Sequence, residues 1–408
     1  MTVMKLGRGD PAVFLAHADP CDTMPVTGMR AANRGAACSI ECDRAVVRAC
    51  GESVERYCSA IYDPRALRVA TPAALLRAGE QILRVDEVYP FAPAQRSAPG
   101  FPFLPADDDT PIRWVRGAAL ASGRPVWLPA SCVYVPYLFD RAVEPWTHMP
   151  ISTGLAAGRS VAGCITKGIY EILERDALMI TWYARLITPR IDPESCRGLA
   201  PDIDRLLDAA AQTGSRWFLN VLTLDVDVPV IGAALIDAGD PPLTSYGIAA
   251  DDDPRHALRL ALEEATLTRT LVNRSPEILD NPGQVHDRFD TLRDHLLAHA
   301  TSPALRDRLR FMTDDGPLVN FASLVRERGP LIERLAARGL AASWVEVTTP
   351  DVEQCGFHVV RTIIPGAQPL DNDHRSRYLG GVRLRSVPTA LGQPVEPSDW
   401  NPDPHPFP

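Results

Sequence analysis

Two ten-residue stretches of this chain share one acidic signature. The first runs from Arg48 to Tyr57 and holds Glu52, Glu55 and Arg56; the second runs from Lys167 to Asp176 and holds Glu171, Glu174 and Arg175. Both read E-x-x-E-R, with a basic residue four places before the first glutamate. On a helix, residues three apart share a face, so each stretch aims two carboxylates the same way. Like charges side by side cost energy unless a cation stands between them. Magnesium suits that place: it is hard, takes oxygen ligands and commonly arrives with substrate phosphates. The bland alternative is a solvated helix face, with Arg48–Glu52 and Lys167–Glu171 as ordinary i, i+4 ion pairs. One copy would favour that alternative; two copies, each amid small or apolar residues, weigh against it. A third acidic pair, Glu263-Glu264, lies within Ala257–Arg269.

These residues need helices to hold them. From Ser39 to about Tyr62, Ala45, Ala49, Glu52 and Arg56 recur at helical spacing, and Tyr62-Asp63-Pro64 stops the run. Val161 to about Leu186 gives the strongest helical pattern, with Ile165, Ile169 and Ile172 on one stripe. Asp253-Pro254 opens a third helix, an aspartate cap followed by proline at the first helical position. Gly329 to Ala342 reads as a fourth. Strands are expected in Arg113–Leu138, in Trp217–Ile236 around Asp225–Asp227, in Ala342–Val347 and in His358–Pro365. Residues 1–30 read as an irregular segment, 31–396 as the main body and 397–408 as a proline-rich tail. The mixture predicts an α/β (mixed α+β) fold.

Composition removes several function classes. The 408 residues carry 42 basic and 51 acidic side chains, a net charge of −9, which argues against a nucleic-acid partner. No apolar run reaches the roughly 18 residues of a membrane span, and the N-terminus lacks the apolar core of a secretory signal. Nine cysteines spread over a long chain read as reduced thiols, so a cytoplasmic protein is expected. Cys38, Cys42, Cys50 and Cys58 cluster, but their spacing fits no closed zinc site, and they read as small core residues. The only lysines are Lys5 and Lys167, and neither completes a GxxxxGK[ST] phosphate loop. Any use of ATP must proceed without that loop.

Ser152-Thr153-Gly154-Leu155-Ala156-Ala157-Gly158, running into the helix that ends YEILERDALMITW, resembles the central motif of the YcaO family. CGESVERYCSAIYDP is similar to that family's first E-x-x-E-R helix. WFLNVLTLDVDVPVIGAAL, YGIAADDDPRHALRLALEEA and HVVRTIIPG follow in the family's order, over roughly residues 30–408. The ending, Asn401 to Pro408, carries P-x-P-x-P and resembles the azoline-forming cyclodehydratase (D-type) subunits within the family.

The resemblance implies the YcaO fold and an ATP- and Mg²⁺-dependent condensation in a ribosomally made precursor peptide. A Cys thiol or a Ser/Thr hydroxyl attacks the preceding amide carbonyl, ATP phosphorylates the oxygen, and loss of phosphate leaves a thiazoline or oxazoline. Carried over by motif, Glu52, Glu55, Glu171, Glu174 and Glu264 hold Mg²⁺. Ser39, Arg175, Arg361 and Glu264 contact ATP, and Pro404, Pro406 and Pro408 lie near the active site and serve activity. The chain begins almost directly in the YcaO body, so a separate E1-like (ThiF-like) partner is expected to bind the leader peptide. A flavin dehydrogenase acting on the azolines and a homodimer within the complex are further expectations.

The chain also departs from the family pattern. Ala37-Cys38-Ser39 stands where Gly-Lys-Gly is common, and Arg159 and Gly163 replace an Asn and a Glu. In R-x-x-x-E-x-x-Q, Leu260 and Leu267 take the Arg and Gln places; a shift of one residue recovers Arg259 and Glu263 but leaves Thr266 for the Gln. Two other readings therefore stay open. The departures motivate a catalytically silent scaffold; a thioamide- or amidine-forming enzyme is the other, and the P-x-P-x-P ending counts against it.

Overall fold

The small residues of the first acidic stretch decide where it packs. Helix α1 (Cys42–Ser59) buries Ala45, Ala49 and Ser53, four residues apart, on one face. That face lies on Ala16, Ala18 and Ala37 of an antiparallel sheet made of Thr2–Lys5, Phe14–Ala18 and Gly35–Ser39. The approach is close enough that a Cβ on Gly35 would stand 2.1 Å from the Ala49 carbonyl oxygen, so only glycine fits there. The computed structural model describes every residue except 7–9, 29, 32–33, 239–242, 282–283, 288 and 408. It corrects the reading of residues 1–30 as irregular, since two of the three strands of this sheet lie within them. At four and five residues they are too short to show a period, and they are held by pairing rather than by local preference.

Helix α2 (Val161–Ala184) starts at Ser160, whose side chain accepts a bond from the Gly163 N–H, and ends at Arg185 with φ of 47°. Every residue from Asp176 to Tyr183 is buried, so this half runs through the middle of the molecule. The one carboxylate there, Asp176, accepts bonds from Arg383 Nε at 2.8 Å, Arg383 Nη2 at 2.6 Å and the Gln368 N–H at 2.7 Å. A buried charge that is paired and fully hydrogen-bonded is tolerated where an isolated one is not.

A five-stranded sheet runs in the spatial order Thr244–Ala250, Val230–Ile236, Arg216–Val221, Arg190–Ile191, Leu318–Val319. Its two inner faces pack on different helices. Ala234, Tyr246 and Ile248 join the core of α2, while Ala233, Leu235 and Ala249 join that of α3 (Pro254–Asn273). Burial on both faces explains the unbroken apolar run of Val230–Ile236. Asp253 caps α3 by accepting from the Arg255 N–H, as its position before Pro254 predicts.

The six-stranded sheet runs Arg68–Ala70, Ile112–Ala119, Ser343–Glu346, His358–Ile363, Leu155–Gly158, with Pro125–Pro129 paired to Ile112–Ala119. Two expectations shorten here. The strand pattern does not continue to Leu138: Ala130–Val133 forms a helical turn, and Pro129 and Pro136 have no N–H to give a ladder. The helix expected over Gly329–Ala342 is confined to Leu331–Ala336, with Gly339 at φ of 69° beyond it. The architecture is a mixed α/β fold, as expected. In each of the three sheets one outermost strand, Gly35–Ser39, Leu155–Gly158 or Thr244–Ala250, faces the same central space.

Candidate active site

An outermost strand has backbone N–H groups that its own ladder does not use. Here glutamates take them. Glu52 Oε2 accepts from the Ala36 N–H at 2.9 Å, Glu55 Oε1 from Ala157 at 2.7 Å and Glu264 Oε2 from Ile248 at 2.8 Å. Glu174 accepts from the Ala250 N–H, and Glu171 Oε2 from Gly154 at 3.0 Å, one residue before the second of these strands. Three helices thus each lean on a sheet edge through a carboxylate. One oxygen is pinned by the backbone, which fixes where the other points.

Glu52, Glu55, Glu171 and Glu264 line a cavity of about 560 Å³, together with Arg34, Arg48, Lys167 and Arg175. Glu174 stands behind it, 3.3 Å from Arg175 Nε. Burial pushes the Glu55 carboxyl up to about 8, with Glu171 and Glu52 adding to the rise. Burial likewise pushes Glu264 up to about 7, helped by Glu171. Glu174 is raised well above the usual range by burial and by the charges of Glu264 and Glu171. The cavity wall carries five glutamates and five basic side chains, so burial more than an excess of charge sets these values.

The tail closes the other side. Asn401, Asp403, Pro404, His405, Pro406 and Phe407 are all buried. Trp182 Nε1 donates to the Asp403 carbonyl at 2.9 Å, and His299 Nε2 lies 2.7 Å from the Pro404 carbonyl oxygen. His405 Nε2 is 3.1 Å from His295 Nδ1 and 2.9 Å from the Asp371 carbonyl oxygen. Phe407 reaches the cavity wall, where the Arg175 guanidinium lies 3.9 Å from its ring centroid. Of the described tail residues only Phe407 lines the cavity; Pro404 and Pro406 are buried without lining it, and Pro408 lies outside the described residues.

The structure does not bring every expected residue to the cavity. Ser39 is fully buried and donates to Glu263 Oε1 at 2.8 Å, one layer behind the wall. Arg361 donates from Nη2 to the Ile151 carbonyl at 2.9 Å and lines an adjoining chamber of about 40 Å³, whose Ile151 and Thr153 also line the acidic cavity. Arg159 turns away over the Phe357 ring, Gly163 serves the α2 cap, and Leu260 packs in the α3 core. Leu267 does line the cavity and gives it an apolar wall. Both members of the adjacent pair line the cavity: Glu264 holds the Ile248 N–H, while Glu263 is bound by Arg48 and Arg259.

The anticipated ion pairs are exchanged. Glu52 pairs with Arg56 at 3.2 Å, not with Arg48, and Glu171 lies 3.8 Å from Arg175, while Lys167 Nζ donates to the Ala157 carbonyl at 3.3 Å. Arg48 is freed by this exchange to reach across to Glu263. Arg48, Lys167 and Phe407 are cavity residues that motif matching passed over. The signals were present: a basic residue opens each E-x-x-E-R stretch, and one aromatic sits among the terminal prolines.

A family model described as "YcaO cyclodehydratase, ATP- and Mg²⁺-binding" matches residues 39–368. The chain belongs to the YcaO family. A YcaO protein from Methanopyrus kandleri, solved with AMPPCP and Mg²⁺, has the same fold at a TM-score of 0.61 and 20% identity, covering 90% of this chain and 86% of that one. A heterocyclase solved with substrate and cofactor gives a TM-score of 0.77 at 20% identity, covering 100% of this chain. This chain spans 54% of that one's length. One chain of the E. coli microcin synthetase McbBCD complex gives 0.64 at 15% identity, with 100% and 96% covered. A Rhizobium leguminosarum protein from the tfuA 3′ region is 27% identical over 300 residues, 69% of this chain and 66% of its own length.

ATP and Mg²⁺ are the cofactors of the YcaO family, and the residues present suit them. Among the described residues no three His, Cys, Asp or Glu side chains close round one ion. Mg²⁺ does not need such a cage, because it keeps several waters and takes one or two carboxylates plus phosphate oxygens. Arg175 Nη1 is buried without a hydrogen-bond partner among the described residues, a donor placed for an acceptor such as a phosphate oxygen. No helix among them is long and apolar enough to cross a membrane.

Proposed function

We propose that this chain is an ATP- and Mg²⁺-dependent peptide cyclodehydratase, converting Cys or Ser/Thr of a ribosomally made peptide to azolines. The observation that supports it most is the set of desolvated, mutually crowded glutamates pinned to three sheet edges round a cavity that Phe407 of the tail closes. Bound Mg²⁺ supplies the charge that draws these carboxylates and the phosphates of ATP together. Glu55, Glu171 and Glu264 would hold the metal, with Glu52 beside them and Glu174 orienting Arg175. Arg175, Arg48 and Lys167 would face the phosphates, the first through its unpartnered Nη1. Ser39 serves as a positioning residue through Glu263, and Arg361 through Ile151. In the reaction, the side-chain nucleophile bonds to the preceding carbonyl carbon and the amide oxygen takes the γ-phosphoryl group. The ring is closed by that first bond; the oxygen then leaves as phosphate while the ring nitrogen gives up its proton, forming the C=N bond of the azoline. A separate leader-binding protein brings the peptide, a reading supported by the likeness to a chain that works within the McbBCD complex.

The test is a mass measurement on the peptide with ADP release followed in parallel. Each ring removes one water, a loss of about 18 Da, whereas a thioamide adds about 16 Da. ADP release with water loss is the expected result; ADP with a gain of mass would replace cyclodehydration by thioamide formation. Leu267 favours one second reading, a silent scaffold, because it sets an apolar side chain on the cavity wall. No ADP release at all would establish that reading instead.

A further inference from the structure

The acidic cavity is sized for one ligand, and the proposed reaction brings two together. Small-molecule pockets run to about 300–1,000 Å³, and this cavity, at about 560 Å³, is of that class. A larger hollow of about 1,040 Å³ opens beside it. The two share Arg34, Ala36 and Leu271 as lining residues, so the hollow adjoins the cavity.

The chemistry of the hollow is that of a peptide groove. Its floor is Met4, Leu15 and Ala36, one from each strand of the N-terminal sheet, with Leu271 of α3 opposite. Its rim carries charges that cancel. Arg34 pairs with Asp19 at 3.1 Å, Arg30 with Asp22 at 3.7 Å, Arg274 with Asp10 at 2.9 Å and Arg293 with Glu277 at 2.6 Å. Such a rim selects neither acidic nor basic partners. At the junction stands Ala36, whose N–H is held by Glu52. Whatever lies along the floor and passes this small side chain arrives at the carboxylates.

We propose that this groove holds an extended stretch of the substrate peptide, low in net charge and rich in small residues, and feeds its amides past Ala36. The inference rests on the reading of the chain as a peptide-modifying enzyme and adds to it the path of the peptide. ATP and Mg²⁺ occupy the acidic cavity; the peptide enters from the side of the N-terminal sheet.

Cys21 lines this groove and is exposed, and Cys355 is exposed elsewhere. Each supplies a handle. A benzophenone maleimide is attached at Cys21 in a Cys355→Ser protein, and at Cys355 in a Cys21→Ser protein. The probe is a synthetic Gly-Ser-Cys repeat of about twelve residues, roughly 40 Å when extended, with ATP and Mg²⁺ present. Light should capture the probe from Cys21 and not from Cys355. In a separate assay Cys21→Trp should raise the KM for the probe at least tenfold and leave ATP affinity unchanged. Turnover of the probe with no capture from Cys21 and an unchanged KM overturns the groove while sparing the proposed function. Capture from Cys21 supports the groove whether or not ADP is released. No capture and no turnover overturns the groove, and the catalytic reading is then judged by the mass measurement made with the leader-binding partner present.

Discussion

The guanidinium of Arg175 lies 3.9 Å from the centre of the Phe407 ring, joining the last described residue of the chain to the helix that carries Glu171 and Glu174. A desolvated cation–π contact contributes about 2 kcal/mol, and losing a buried phenylalanine costs about 3–5 kcal/mol in all. The contact therefore binds the tail and orients the arginine in one step.

Phe407→Ala should release the tail and slow ADP production at least tenfold, while Phe407→Tyr, which keeps the ring, should stay near wild type. Rates and melting curves for the two variants check this. Equal loss in both would remove the stacking from the argument.

The tail should also loosen in acid. Burial lowers His299 to about 4, His405 to about 3 and His295 to about 2, the last two also under the influence of neighbouring histidines, and His374 is lowered as well. Each folded value lies below the ordinary 6.5, so the docked tail binds fewer protons than the free one. Docking is strongest above about pH 6.5 and is lost as the pH falls toward the folded values, by roughly 2 kcal/mol at pH 5 through His405, the histidine the tail itself carries. Asp371, raised to about 6 by burial, opposes this, because its contribution is lost as the pH rises. Asp371 changes less than His405 between pH 7.5 and pH 5, because its value of about 6 lies inside that range. Carboxypeptidase should therefore trim the chain faster at pH 5 than at pH 7.5; equal rates would refute the account.

Mg²⁺ should stabilise the protein more at pH 8.5 than at pH 6. Glu55 and Glu264 stand at about 8 and 7, so at pH 6 the metal must displace protons from them. At pH 8.5 both are charged and are repelled by Glu171, and the ion relieves that repulsion. Melting temperatures with and without 5 mM Mg²⁺, roughly a saturating level for such a site, give the comparison. A larger rise at pH 6 would contradict the site.

Glu264→Gln and Glu264→Ala separate two roles of one residue. Glutamine can still accept the Ile248 N–H, so it should fold normally yet lose ADP production at least a hundredfold. Alanine leaves that buried donor unmet, at a further cost of about 1–3 kcal/mol. If both variants melt alike, the strand contact carries no weight.

The helices were legible because their periods are long. Ala45–Ala49 and Ile165–Ile169–Ile172 mark their buried faces over many turns, and the glutamates follow at fixed offsets. The partners of those glutamates were not legible. Glu55 and Ala157 are 102 residues apart, and no local pattern ties a carboxylate to a particular backbone N–H that far away. Arg48 illustrates the same limit, since spacing assigns it to Glu52 and only the packing of α1 near α3 hands it to Glu263. The N-terminal strands escaped notice because four or five residues cannot establish an alternation, and the register of α3 because Glu263 and Glu264 are adjacent.

The bond between Glu55 and Ala157, with its counterparts at Ala36 and Ile248, has a consequence for how variants of this protein would be judged. Each of these acids keeps a raw strand border from recruiting another polypeptide. A substitution that removes the acceptor with the charge, as alanine does and glutamine does not, would thus also expose a sticky seam, and its product would be expected to gather in the insoluble fraction. A screen that discards insoluble clones would record as misfolded those very positions whose loss was chemical.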